Sequence, residues 1–459
     1  MWCHDNFRGV GAGLTAGRIA MEAPYVSDRA ADLPRSLWAA VTPEVPTRPS
    51  LDGDRRYDVA IVGAGFMGLS AALHLAASGA RVGVFEAARA GWGASGRNNG
   101  LIAPGLKRDP KEVRRILGRE RAERLLLLAG EAPDELFALI RDHSIECDAN
   151  NRGWIQAAHS PSAAAQIECR VRDWKELGAD VAMIPADDVA ERLGTDFYFG
   201  ASIDRRGGSL NPLACARGLA RVAIEAGADL FEGTPVSGVH RAGAHWQLTT
   251  PAASVVADAV LCCTNAYNRE IGELNAAVLP LRTAQVASAP LAEKHWRSVL
   301  PQGESASDTQ RLLTSFRITS DKRLIMGGAS ATAGDEHRGL MRHLHRAARR
   351  RFPQLGDIDW QFFWSGYLAL THDHLPHIFK PAEGFYAGIA CNGRGIAMAI
   401  ATGKRLAGIV STGSELECEL PITRTKRVFG YSLRHPGVFA GVLLNRFLDR
   451  VEHRRVNMA

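Results

Sequence analysis

Gly63-Ala64-Gly65-Phe66-Met67-Gly68 sets three glycines at the G-x-G-x-x-G spacing that binds a dinucleotide pyrophosphate. The first glycine allows a tight turn, the second lets backbone approach the phosphates, and the third allows close helix packing. A helix starting there would add free N–H groups and the positive end of its dipole. Glu86 follows 18 residues beyond Gly68. A carboxylate at that distance accepts the adenosine ribose hydroxyls and favours an unphosphorylated ribose. Directly after it, Gly91-Trp92-Gly93-Ala94-Ser95-Gly96-Arg97-Asn98-Asn99-Gly100 is dense in small and polar residues. Such a loop lets the backbone lie against a planar ring and offers Ser95, Arg97 and Asn98 as polar contacts. A second glycine cluster, Gly9 to Gly13, has no strand before it and is set aside.

The fingerprint works only between a strand and a helix, and the flanking pattern supplies both. Tyr57 to Val62 is a short β-rich run, Leu69 to Ser78 is helical, and Ala80 to Glu86 is the next strand, a βαβ unit. Helical patterns follow at 111–144, 162–180, 212–227 and 336–351, the third opening on Asn211-Pro212 as cap and first turn. Strands are expected at 255–263, 279–290, 311–329 and 360–370. A late strand at 384–389 leads through Gly393 into a helix ending near Val410. Residues 24–56, with five prolines, read as an extended lead-in, and a short helix is expected near 437–450.

A chain of 459 residues with 46% apolar and 23% charged residues is globular and long enough for two or three domains. Its 55 basic and 49 acidic residues leave a net charge of only +6, with the basic residues scattered. Nothing in that pattern asks for nucleic acid. The uncharged stretch Val59 to Ala80 is long enough to span a bilayer, but Gly63, Gly65, Gly68 and Gly79 divide it into strand, turn and helix. No integral membrane segment is expected. Met1 to Ala20 lacks the apolar run of a secretory signal, and residues 1–20 read as dispensable. Eight cysteines without a C-x-x-C pair argue for buried thiols and a cytoplasmic location.

Beyond the fingerprint, the chain resembles FAD-dependent oxidoreductases of the D-amino-acid oxidase family. It is most similar to the branch of gamma-glutamylputrescine oxidoreductases and related amine and amino-acid oxidases. The resemblance runs from about Leu33 to about Phe429. It is carried by D-V-A-I-V-G-A-G-F-M-G-L-S-A-A-L-H-L at 58–75, G-W-G-A-S-G-R-N at 91–98, G-G-S-L-N-P at 207–212 and G-T-P-V at 233–236. Further along stand A-V-L-C-C-T-N-A-Y at 259–267, P-L-R-T-A-Q at 280–285, G-Y-L-A-L-T-H-D-H-L-P-H-I at 366–378 and C-N-G-R-G-I-A-M-A-I-A-T-G-K at 391–404. It implies an α/β fold, a Rossmann-type FAD-binding domain with a second substrate domain built on a mixed, mostly antiparallel sheet. The expected division is 51–103, 204–284 and 376–415 for FAD, and 104–203 and 285–375 for substrate. Residues 1–50 and 416–459 are then lead-in and tail.

The resemblance assigns Gly63, Gly65, Met67 and Gly68 to the pyrophosphate turn and Glu86 to the ribose. Ser95, Arg97, Asn98 and Gly100 would border pyrophosphate and flavin, Val236 the adenine, and Thr264 the strand end nearby. Gly393, Gly395 and Ile396 would open the helix facing the flavin N1–C2=O edge, where N–H groups stabilise negative charge. Family loops continue with two glycines after Arg-Asn; here Asn99 stands before Gly100. The implied reaction passes a hydride from a C–H beside nitrogen to FAD, the imine then hydrolysing, with oxygen or a quinone as final acceptor. A hydroxy-acid dehydrogenase, or a flavin-binding subunit with little activity alone, are the alternatives. Arg317 is the candidate carboxylate clamp, and Tyr367 and His372 are candidates for tuning amine protonation. The cluster His372, Asp373, His374 and His377 imitates a metal site, but Pro376 and its strand-like spacing argue against one. Covalent flavin is not expected. The position of the attaching cysteine of some relatives falls on Gly366, and no histidine lies between Glu86 and His143.

Overall fold

The computed structural model describes residues 33–267, 272–329, 336–389, 392–425, 427–428 and the single positions 437, 440, 441, 444, 445 and 448. Residues 1–20, the Gly9–Gly13 cluster, Cys391 and most of the helix expected near 437–450 lie outside them.

Two sheets organise the chain. In the first, Asp229–Phe231, Val82–Phe85, Arg55–Val62, Ser254–Cys262 and Phe385–Ile389 run side by side and parallel. His377–Ala382 adds an antiparallel strand, with Ile422–Thr423 parallel to it at the outer edge, and the meander Gly238–Ala242, His245–Thr249 hangs on Ser254–Cys262. The parallel strands are buried on both faces, which is why they read as unbroken apolar runs. Ile61 and Leu261 face one core, whereas Val62, Val260 and Cys262 face the other. The adjacent Cys262 and Cys263 accordingly pack in separate cores.

The second sheet has the order Trp360–Leu370, Leu279–Ser288, Leu324–Ala329, Thr314–Ile318, Ser305–Asp308, Trp154–Ala157, Ala201–Asp204, Val181–Ile184. Every neighbouring pair is antiparallel except Ser305–Asp308 with Trp154–Ala157. Side chains alternate across it with period two. Ile155, Ala284, Val286, Ala306, Phe316 and Met326 fill a core. Trp154, Gln156, Thr283, Gln285, Ser307 and Ser315 take the opposite face and line a cavity.

Three sequence expectations change. The run 311–329 is a hairpin, Thr314–Ile318 and Leu324–Ala329, turning through Lys322 at φ +67°. The division at 284/285 falls inside the continuous strand Leu279–Ser288, which pairs along its length with Trp360–Leu370. The lead-in contains a helix, Leu37–Val41, capped by Ser36 Oγ accepting Ala39 N–H at 3.1 Å. Among the described residues no helix is long and apolar enough to cross a membrane.

Helices Phe66–Ala77 and Gly395–Thr412 cross in close contact, with Ser70 Oγ donating to Ile400 O at 2.8 Å. A Cβ on Gly403 would sit 2.3 Å from Met67 O and 2.8 Å from Ser70 Cβ, so only glycine permits this approach. Gly408, on the same helix, has nothing within 4 Å. Gly403→Ala should therefore destabilise by about 1–3 kcal/mol through overpacking. Gly408→Ala should stabilise by up to about 1 kcal/mol through helix propensity. Urea unfolding of the two variants checks both signs, and equal shifts would refute the packing argument.

Candidate active site

A cavity of about 1220 Å³ runs between the sheets, from the glycine loop to the open face of the second sheet. Ligand pockets usually hold roughly 300–1,000 Å³, so there is room for a long cofactor and a small substrate. Gly63 turns the chain at φ +101°, a left-handed conformation that glycine adopts freely. Gly68 makes way for that turn, since a Cβ there would lie 2.0 Å from Gly63 O. Gly65 precedes helix Phe66–Ala77 without a side-chain cap of its own, and Ser95 Oγ accepts the Phe66 N–H at 3.0 Å. Glu86 lies at the end of strand Val82–Phe85, where its carboxylate accepts Ala64 N–H at 2.8 Å and Ala88 N–H at 2.9 Å. Burial raises its pKa despite those donors.

Gly63, Gly65, Met67, Glu86, Ser95, Arg97, Asn98, Val236, Thr264, Gly393, Gly395 and Ile396 all line this one cavity. Gly68 and Gly100 stand behind it as spacers. A Cβ on Gly100 would meet Leu210 O at 2.2 Å and the Arg317 guanidinium at 2.7 Å. The glycines, the acid and the uncapped helix starts together fit an adenine dinucleotide carrying a flat ring. Arg97 stacks its guanidinium 4.1 Å over the Trp92 ring and donates from Nε to Trp92 O at 2.7 Å, which stiffens the loop.

Asn392 ties down the start of the second helix. Its Oδ1 accepts Thr371 N–H at 2.9 Å, and its Nδ2 donates to Leu375 O at 3.0 Å. Asp373 in that turn pairs with His377 Nε2 at 3.0 Å. Burial alone would raise the Asp373 pKa, but the His377 hydrogen bond and charge hold it well below the usual carboxylate range. His374, at φ +60°, lines the cavity and has an unpartnered buried Nδ1. Burial and the nearby Arg108 and Lys107 cations lower its pKa, keeping the imidazole neutral.

The three catalytic candidates separate. Tyr367 lines the cavity, its ring edge-on to Tyr267 at 6.1 Å. His372 does not; its side chain is 71% exposed, and His374 takes the inward place. In a turn, strand alternation no longer decides which side chain points in. Arg317 is also outside the lining, contrary to its expected role as a clamp. It leaves the same face of its strand as Ser315, but helix Leu37–Val41 covers it, with Trp38 5.1 Å from the guanidinium. Its Nε, Nη1 and Nη2 donate to Asn99 O, Ser209 Oγ and Leu210 O at 3.1, 3.2 and 2.7 Å. Burial lowers its pKa to about 10, which still leaves it charged at neutral pH.

Sequence reasoning missed Lys107, Trp154, Gln156, Arg170 and Arg394, all in the lining. Arg394 stood inside the quoted C-N-G-R-G motif and could have been found. Lys107 and Arg170 stand in a loop and a helix beside other basic residues, Arg108 and Arg172, with no spacing to mark them. Arg317→Ala would strand three acceptors and leave a void, so it should destabilise the fold by about 2–5 kcal/mol. Chemical unfolding measures that loss. Unchanged stability with selectively weakened carboxylate substrates would restore the clamp.

Residues 58–409 match the family model described as FAD dependent oxidoreductase. The chain is 30% identical to a probable oxidoreductase OrdL of Rhizobium meliloti over 392 residues, covering 84% of this chain and 90% of the relative. It is 28% identical to the gamma-glutamylputrescine oxidoreductase of Escherichia coli, over 83% of this chain and 89% of that one. Among solved structures, glycine oxidase from Geobacillus kaustophilus superposes with a TM-score of 0.66 at 23% identity, over 78% of this chain and 95% of the other. The two-sheet architecture, the cavity lining and these similarities agree, and the chain belongs to the FAD-dependent oxidoreductases of the amino-acid and amine oxidase family.

Proposed function

We propose that the protein oxidises the C–N bond of an amine or amino acid, using FAD held without a covalent link. The observation that carries this reading is one continuous cavity. It joins the glycine loop and Glu86 to a chamber lined by Tyr367, His374 and the open face of the second sheet. FAD, when bound, supplies the acceptor for the hydrogen and electron pair of the carbon beside nitrogen, and water then hydrolyses the imine. The chain's own work is to bind, orient and set protonation. The reacting amine must be neutral. The neutral imidazole of His374 lines the chamber and adds no positive charge beside an arriving amine. Tyr367 and Tyr267 wall the chamber, and Tyr267 is fixed there because its Oη accepts Tyr367 N–H at 3.0 Å. Reoxidation falls to oxygen or a quinone. Free thiols at Cys147, Cys169, Cys215, Cys262, Cys263 and Cys418 support a reducing, cytoplasmic setting.

Non-covalent binding is supported at Gly366. Glycine offers no nucleophile there, and a Cβ would press on Arg97 side-chain atoms at 3.1 and 3.3 Å. Acid denaturation should release all yellow colour into the filtrate. Gly65→Leu should purify colourless, because a Cβ there already comes within 2.9 Å of Ser95 Oγ and a larger side chain fills the cradle. A yellow, active Gly65→Leu protein would overturn the cofactor assignment.

Anaerobic bleaching of the flavin tests the reaction class. Amines or amino acids should bleach it, and hydroxy acids should not. Bleaching by hydroxy acids alone would replace this reading with hydroxy-acid oxidation.

A further inference from the structure

Basic side chains collect where strand Trp154–Ala157 meets the start of helix Gly395–Thr412. Lys107, Arg170 and Arg394 all line the cavity there. Arg170 is already committed, its Nε to the Asp109 carboxylate and its Nη1 to Gln156 Oε1 at 2.7 Å. Arg394 donates to Pro104 O at 2.6 Å and stacks 4.9 Å over the Trp154 ring; it makes no ion pair among the described residues, and the two acids that favour its charge, Asp109 and Asp204, are paired with Arg170 and Arg206. Lys107 has neither hydrogen bond nor ion pair among them, and the one acid that favours its charge, Asp109, is the partner of Arg170. Trp154 is 5% exposed, yet its indole Nε1–H has no acceptor among the described residues. Two cations that no acid pairs with, facing one cavity beside a buried unpartnered donor, match an anion with several acceptor atoms.

We infer that Lys107, Arg394 and the Trp154 Nε1–H form an anion-recognition pole, and that the compound oxidised is an amino dicarboxylate rather than a polyamine. Two uncompensated positive charges match two carboxylates, and a substrate whose remainder is cationic meets repulsion from both. This rests on the amine-oxidation reading and adds the charge class of the substrate. The cationic surroundings have a second consequence. Burial, then Arg394, Arg170 and Arg108, lower the Lys107 pKa to about 8, against Asp109, and the neighbouring His374 is neutral. Bound carboxylates favour the ammonium form, so affinity should be full below pH 8 and fall as pH rises above it.

Glutarate, which carries no amine, tests the pole on the FAD-loaded enzyme through its perturbation of the flavin absorbance. Glutarate should bind at least about tenfold more tightly than butyrate, and putrescine should give no perturbation. Lys107→Met should weaken glutarate about tenfold or more and remove the step near pH 8. Lys107→Arg should keep tight binding while flattening the pH profile. Trp154→Phe should weaken it roughly three- to tenfold. Unchanged glutarate affinity in Lys107→Met would overturn the inference, as would a changed resting flavin spectrum alone, which would assign Lys107 to the cofactor. Flavin bleaching by amines without glutarate binding would overturn the pole and leave the reaction class standing. Glutarate binding without bleaching by any amine would sustain the pole and remove the reaction class.

Discussion

The backbone of Arg97–Gly100 is hydrogen-bonded from several sides, and the relation of the two sheets depends on it. The carbonyls of Trp92 to Ser95 take donors from within the loop, whereas those of Arg97 to Gly100 take theirs from other parts of the chain. Trp364 Nε1 donates to Arg97 O at 2.9 Å, and Gln285 Nε2 reaches the same oxygen at 3.4 Å. Trp38 Nε1 donates to Asn98 O at 2.8 Å, Arg317 Nε to Asn99 O at 3.1 Å, and Leu210 N to Gly100 O at 2.9 Å. The donors come from the second sheet, the lead-in helix and the segment before helix Pro212–Glu225. A loop that must hold a flat ring is thereby fixed against the sheet that must present a substrate to it.

That constraint explains why Arg317 is spent on structure. A buried guanidinium with no ion-pair partner among the described residues is expensive, and its five N–H groups need acceptors. Three carbonyl or hydroxyl oxygens and the face of Trp38 take that role. Gly100 then has to be glycine, because its φ of +83° and the closeness of Leu210 O and Arg317 leave no room for a side chain. One arginine thus fixes a loop residue, a strand and the lead-in helix together. The cations left for a ligand are those whose neighbours do not neutralise them.

The elements with strong local patterns were legible in the sequence. Tyr57 to Glu86 declared its strand, turn and helix because an apolar β-branched run, spaced glycines and an alanine-rich stretch follow in order. Helix Gly395–Thr412 was marked likewise by the glycines before it. What depended on distant chain was not legible. Arg317 and Ser315 share a face of one strand, and only Trp38, nearly three hundred positions earlier, decides that one is covered and the other open. His372 and His374 also share a period-two pattern, but they lie in a turn where His374 adopts φ +60°. There the Thr371–Asn392 hydrogen bonds, not alternation, choose the inward side chain.

Asn99, where the family loop has glycine, shows how one extra side chain changes the polarity of the chamber. Its Nδ2 donates to Ser315 Oγ at 2.9 Å, leaving Oδ1 buried and unpartnered. Gln285 sends its Nε2 to Arg97 O and likewise leaves Oε1 unpartnered. Both sit over Gly327, where a Cβ would lie 2.8 Å from Asn99 Nδ2, 2.9 Å from Ser315 Oγ and 3.2 Å from Gln285 Oε1. Gly327 is therefore what lets the two amides share one space. Each orphaned buried acceptor costs about 1–3 kcal/mol until a donor reaches it. An occupant that brings N–H groups to this side gains stability that a glycine loop could not provide. The chamber thus carries neutral acceptors at Asn99 and Gln285 as well as the cations at Lys107 and Arg394.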